Sequence, residues 1–140
     1  MTGKDFMSWI LRSPFHNVLS NGMMLITVTG HKTGKKYTLP VGYYRDDEYL
    51  WVITSRDRTW WRNLRGGADV GLLLKREPVS AYAEPKLDKK SVETQLVQYL
   101  RHVPPAARSL GIRMDNGIAN VGDVVRVAKG RLFVRIRQLA

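Results

Sequence analysis

The chain has no cysteine among its 140 residues, which excludes disulfide bonds, thiolate metal sites and cysteine nucleophiles. It also lacks an apolar run close to the roughly 20 residues that a membrane-spanning helix requires. Its first stretch, MTGKDFMSWILRSPFH, is interrupted by polar side chains and has no small-residue cleavage site, so it does not predict a signal peptide. We therefore expect a cytoplasmic protein without a membrane span.

Motifs for autonomous catalysis are missing as well. The three histidines, His16, His31 and His102, are far apart and lack the spacing of metal ligands, so no metal site is predicted. The chain has no G-x-S-x-G elbow, no Walker sequence and no G-x-G-x-x-G. If the protein performs chemistry, a bound cofactor is expected to supply it.

Acidic residues are scarce: 12 Asp and Glu face 23 Lys and Arg, a net charge of +11. Such an excess of positive charge attracts nucleic acid, acidic lipid headgroups or small phosphorylated molecules, and net charge alone does not distinguish among these partners. Phe6, Trp9 and Ile10 stand at helical spacing in a predicted helix over residues 5–20. That face could contact a membrane surface peripherally, although packing on its own domain is the favoured interpretation.

Alternating hydrophobic patterns predict a single, mainly β domain over residues 1–140. A barrel of about six antiparallel strands with flanking helices fits the order of the segments. The predicted strands cover residues 23–29, 36–44, 49–55, 68–75, 79–84 and 131–137. Turns are predicted at 45–48 and 76–78, and helices at 58–67, 88–103, part of 106–119 and 120–130.

The segment GHKTGKK, between the first two predicted strands, is the first candidate site. Its two glycines permit positive φ and expose backbone N–H groups, which can form an anion-binding nest. Its basic and hydroxyl side chains suit a phosphate; they are Lys32, Thr33, Lys35 and Lys36. Three interpretations are open: a solvated turn, a general basic patch for nucleic acid, or a seat for a phosphorylated cofactor.

The segment ITSRDRTWWRNL is the second candidate. Thr54, Ser55 and Arg56 end a strand just before a predicted helix, where a polar ring edge or a phosphate could bind. Trp60 and Trp61 are about 100° apart on a helix, so one is expected to pack inward while the other lines a cleft. The alternative is that both tryptophans are core residues and Arg56 lies on the surface.

Together, LITVTGHKTGKKYTLPVGYYRD, YLWVITS, WWRNLRGGADVGLLL and VSAYAE resemble the deazaflavin-dependent nitroreductase family. The resemblance covers roughly residues 20–85 and implies the split β-barrel fold of the flavin and deazaflavin oxidoreductases, which is also that of the pyridoxamine-phosphate oxidases. It implies an oxidoreductase that transfers hydride between reduced coenzyme F420, a deazaflavin, and a small organic substrate. A homodimer is expected from the same fold group.

The resemblance also implies positions for the cofactor. The phosphate and polyglutamate side of F420 would meet Lys32, Thr33, Gly34 and Lys35 or Lys36. The deazaflavin ring would be flanked by Pro40 and Val41, and by a wall made of Thr54, Ser55, Arg56, Trp60, Trp61 and Asn63. Tyr43, Tyr44 and Tyr99 are the candidate proton donors.

Two departures limit what the resemblance implies. The loop after Ser55 is only RDRT, and HVPPAARSLGI replaces the tyrosine-rich substrate region, so nitroreductase activity is not implied. One alternative is a split-barrel protein that uses FMN or another ligand. A non-enzymatic module that binds anions or nucleic acid through the basic strand 131–137 is the other. Nucleic acid is the weaker partner, because only Phe133 is interleaved with those arginines.

Overall fold

A computed structural model describes residues 22–139 of the chain; the predicted helix over 5–20, with its apolar face, lies outside this part. Within residues 22–139, seven strands form one antiparallel sheet and two more form a small hairpin. The strands are β1 (Met23–Thr29), β2 (Lys36–Gly42), β3 (Tyr44–Asp46), β4 (Tyr49–Ser55), β5 (Ala68–Leu74), β6 (Glu77–Lys86), β7 (Met114–Asp115), β8 (Ile118–Ala119) and β9 (Arg131–Gln138). The helices are a 3₁₀ helix (Trp60–Leu64), α1 (Lys89–His102), α2 (Ala106–Leu110) and α3 (Val121–Ala128).

The seven-stranded sheet curls into a barrel. Its strand order is β2-β1-β5-β6-β9-β4-β3, so β2 and β3 are its two edges. Only Tyr43 separates these edge strands along the chain, so the sheet bends round and brings the adjoining ends of its two edges close together. The predicted barrel is therefore confirmed. Pro40 lies in edge strand β2, where a residue without an N–H interrupts no ladder.

The two faces of the sheet pack into different cores. Leu50 and Val52 of β4 point into the barrel, and Trp51 and Ile53 point outward to the helices, as the alternation in YLWVITS predicts. The outer core is completed by α1, whose buried residues Val92, Leu96 and Leu100 lie four residues apart on one face of the helix. Asp88 caps this helix by accepting the Ser91 N–H at 3.0 Å.

Two predicted turns are corrected by the structure. Arg45 and Asp46 belong to β3, and the reversal of the chain centres on the next two residues. In the following hairpin, Lys75 and Arg76 take φ values of 49° and 69°, the pair of positive angles that a two-residue turn with the right twist requires. The strand β6 can then begin at Glu77, earlier than predicted. Polar residues at strand ends resemble turn residues, which explains both errors.

Among the described helices, none combines the length and apolar character needed to cross a membrane.

Candidate functional site

A compact loop connects β1 to β2. The Gly30 N–H donates to the Lys35 carbonyl at 2.7 Å, and the Gly34 N–H donates to the Gly30 carbonyl at 2.9 Å. Gly34 has a φ of 70°, whereas Gly30 does not adopt the positive φ that the sequence suggested. A Cβ on Gly30 would lie 3.0 Å from Thr33 Oγ1 and 3.2 Å from the Lys35 carbonyl oxygen. This loop (residues 30–36), which the family resemblance predicts to contact the cofactor and which is called the cofactor loop below, thus leaves little room for a side chain at Gly30.

Asn63 joins the cofactor loop to the 3₁₀ helix. Its Oδ1 atom accepts the His31 N–H at 2.8 Å, while its Nδ2 group donates to the Tyr37 hydroxyl at 2.5 Å and to the Trp60 carbonyl at 3.2 Å. One amide side chain therefore fixes both sides of the loop to the helix. The two candidate segments of the sequence form one region of the structure, and Asn63 is the residue that holds them together.

The surface of the cofactor loop offers donors and positive charge. Its histidine, its threonine and its three lysines are all exposed, and the loop contains no acidic residue. Within the described part of the chain, the backbone N–H groups of Lys32 and Thr33 have no hydrogen-bond partner. Thr33 Oγ1 accepts the Lys35 N–H at 3.2 Å, which leaves the hydroxyl proton of Thr33 for donation. This donor set fits a phosphate or a carboxylate.

Both tryptophans of the 3₁₀ helix are core residues. Trp60 and Trp61 are only 6% and 4% exposed and pack among the barrel side chains. The expectation that one of them lines an open cleft is wrong. A 3₁₀ helix of five residues lies against the barrel end, and the guanidinium carbons of Arg62 and Arg65 cover the Trp61 ring at 5.6 and 5.3 Å.

The end of β4 lies beside the 3₁₀ helix, but its polar side chains already have partners. Thr54 Oγ1 accepts the Trp60 indole N–H at 3.2 Å. The Ser55 hydroxyl donates to the Asp57 carboxylate at 2.5 Å, and this bond lowers the pKa of Asp57. Arg56 donates through Nη2 to the Leu87 carbonyl at 2.8 Å, while its Nε atom is buried without a partner in the described residues. Contact of Ser55 and Arg56 with a cofactor stays a prediction.

Strand β2 and its surroundings continue the surface from the cofactor loop. Pro40 is exposed, whereas Val41 is buried in the barrel core, so only Pro40 offers an accessible flank. A groove of about 420 Å³ begins at Lys36 and crosses β1, β5 and β6. Asp69 also lines this groove, and its carboxylate makes the groove less suitable for a polyanion than the cofactor loop.

Two of the three tyrosines expected to donate protons lie away from the candidate site. Tyr44 and Tyr99 stand 5.5 Å apart in the outer core, where burial raises the pKa of both, that of Tyr44 to about 12. Tyr43 packs against the barrel core. Tyr37 was not among the predicted site residues, although its hydroxyl contacts Asn63 and its side chain is 39% exposed. Its place directly after the seven residues GHKTGKK was the available signal.

A family model described as F420H(2)-dependent quinone reductase matches residues 15–119, most of the chain. This match confirms the resemblance to deazaflavin-dependent reductases and favours F420 over FMN as the cofactor. Among curated proteins, no significant match to the sequence was found.

Solved structures similar to this chain have the same architecture. A structure described as a domain-swapped dimer is 18% identical and covers 96% of this chain and 95% of its own, with a TM-score of 0.56. An F420-H2 dependent reductase is 16% identical, and the match covers 82% of this chain and 94% of the reductase, with a TM-score of 0.54. A third structure, from Listeria innocua, is provisionally assigned as a pyridoxamine 5′-phosphate oxidase. It is 10% identical, and the match covers 96% of this chain and 98% of the other, with a TM-score of 0.52. At such identities the likeness shows the fold alone, which is the split β-barrel that the sequence predicts.

Proposed function

Because this chain belongs to the F420H(2)-dependent quinone reductase family, it is an F420-dependent oxidoreductase, and we propose that its substrate is a quinone. The cofactor loop would hold the phosphate and polyglutamate part of F420. Three lysines, the N–H groups of Lys32 and Thr33 and the Thr33 hydroxyl supply the donors for these anions. The remaining predicted contacts, Pro40 and the end of β4 with its 3₁₀ helix, would border the ring.

The observation that carries this proposal is the Asn63 bridge. An exposed loop of lysines and glycines would ordinarily be a solvated turn, with many conformations to restrict before it could bind an anion. The contacts of Asn63 to the His31 N–H and to the Tyr37 hydroxyl fix this loop in advance on the 3₁₀ helix. A preorganised loop loses less conformational entropy on binding, which favours affinity for an anionic cofactor.

When bound, reduced F420 would supply a hydride to the substrate. Reduction of a quinone to a quinol also consumes a proton, because a hydride carries two electrons and only one proton. The Tyr37 hydroxyl accepts from Asn63 and so retains its own proton for donation. The chain would therefore contribute cofactor binding, orientation and a proton donor, and no covalent catalysis is required.

We also propose a homodimer in the cytoplasm. The exposed edge of β2 leaves backbone groups that a second chain could pair with or cover. One structural neighbour is described as a domain-swapped dimer, which supports this assembly. Light scattering on the purified protein tests it, and a monomeric mass across the working concentration range would contradict it.

The proposed activity is tested by mixing the purified protein anaerobically with reduced F420 and menadione as the quinone probe. We expect the visible absorbance of oxidised F420 to return at a rate proportional to the protein concentration. Reduced FMN serves as the comparison donor. Absence of turnover with F420, or equal turnover with both donors, would contradict the proposal.

A further inference from the structure

A second pocket lies on the opposite side of the sheet from the barrel core, under the first turns of α1. It encloses about 360 Å³ and is lined by Trp51, Lys86, Lys90, Ser91, Thr94, Gln95 and Arg135. Cavities that bind small molecules usually measure about 300–1,000 Å³, so this pocket suits a compound of one or two rings. None of the residues proposed for the cofactor lines it.

The floor of the pocket is built from paired positions on three adjacent strands. Arg135 of β9 is the register partner of both Glu84 in β6 and Trp51 in β4, so the three side chains form a row on the outer face. The Trp51 ring is half-buried and rests edge-on against Phe133, with 6.3 Å between the centroids. The indole thus provides a fixed apolar wall beside a guanidinium.

Arg135 and Lys86 are held in place by Glu84 and are only partly neutralised by it. Glu84 forms ion pairs with Arg135 and, at 3.6 Å, with Lys86, and the contact to Arg135 lowers the pKa of Glu84. The Arg135 guanidinium also lies 4.7 Å from the centroid of the Tyr49 ring. The Glu84 carboxylate therefore pairs with two cations. Lys90, on the helix above, has no ion-pair partner within residues 22–139.

From this combination we propose that the pocket is a second binding site, specific for a small aromatic carboxylate. The aromatic ring of the ligand would stack on Trp51, and its carboxylate would meet the unneutralised charge of Lys90 and the nearby Arg135. Ser91 and Thr94 add hydroxyl donors on the helix side. A neutral ring would gain no attraction from Lys90, so the site favours the anion. This inference goes beyond the proposed reductase function and does not depend on it.

Calorimetric titration of the full chain with 2-naphthoate tests this site. We expect saturable binding that weakens about tenfold or more in Lys90→Ala, since a hydrogen bond to a charged group is lost. The matched control is Lys89→Ala, which removes the same charge from the neighbouring exposed position, outside the pocket, and should bind as the wild type does. Trp51→Leu should also weaken binding, and 2-naphthalenemethanol, the neutral analogue, should bind far less.

Binding of 2-naphthoate should be unchanged when the protein is saturated with F420. The proposal would be overturned by any of four results. These are no saturable binding, equal affinity of Lys90→Ala and the wild type, equal affinity for the neutral analogue, or competition by F420, which would place the probe in the cofactor site.

Discussion

Replacing Asn63 with alanine should loosen the cofactor loop while leaving the barrel folded. The substitution removes the hydrogen bonds to the His31 N–H, the Tyr37 hydroxyl and the Trp60 carbonyl. At about 0.5–1.5 kcal/mol net for each bond, the free energy of unfolding should fall by about 1–3 kcal/mol, because these bonds are partly exposed to water. Urea denaturation measures this loss. Cofactor affinity should fall about tenfold, since the loop must then be ordered on binding.

Two companion variants separate the possible causes of weaker binding. Tyr37→Phe removes only one of the bonds and should keep nearly the wild-type affinity for F420, with slower reduction of the quinone. Asn63→Asp keeps an acceptor for the His31 N–H but places a negative charge beside the proposed anion site. Asn63→Asp should therefore lose more affinity for F420 than its loss of folding stability alone would cause. F420 affinity is measured by quenching of tryptophan fluorescence. If Asn63→Ala bound F420 as tightly as the wild type, the proposed ordering of the cofactor loop by Asn63 would be refuted.

Other variants test the local geometry. Gly30→Ala should weaken F420 binding, because its Cβ would stand 3.0 Å from Thr33 Oγ1. Gly67→Ala should lower the melting temperature, because Gly67 has a φ of 91° and a Cβ there would overlap the Tyr82 hydroxyl. Partial recovery in combination with Tyr82→Ser would verify the clash, and no loss would refute it. Asp123→Asn should destabilise the protein at neutral pH, and the difference from the wild type should shrink in strong acid. Arginine contacts lower the folded-state pKa of this carboxyl and so stabilise the folded wild type while the carboxyl is ionised. This stabilisation is lost as the pH falls through the lowered pKa. A pH-independent difference in stability between the variant and the wild type would contradict this.

Local sequence patterns were sufficient to predict the strands and helices that alternate between buried and exposed residues. The alternation of Tyr49–Ser55 predicted both the bounds and the two faces of β4, because each face meets its own core. The helix predicted over residues 88–103 begins where expected, because the Asp88 carboxylate accepts a free N–H group at the start of an amphipathic stripe. A turn over GHKTGKK was expected from its two glycines, although only Gly34 takes a positive φ.

Long-range contacts were beyond sequence reasoning at the same site. The bond from Asn63 to the His31 N–H spans 32 residues, so no periodicity could reveal it. The position of Tyr37 at the site follows from that same bridge. The burial of both Trp60 and Trp61 depends on how a 3₁₀ helix lies against the barrel end, which an α-helical spacing of about 100° does not describe.

The most direct test of the cofactor assignment is an F420 titration of the Lys32→Ala/Lys35→Ala variant. Its control is Lys89→Ala/Lys129→Ala, which removes the same two charges from exposed positions outside the cofactor loop. We expect the loop variant to bind F420 at least about tenfold more weakly, since charged hydrogen bonds to the anionic tail are lost, with little change in melting temperature. The control should bind like the wild type. Equal affinities for the loop variant and the control would contradict the assignment of the cofactor loop as the seat of the anionic tail.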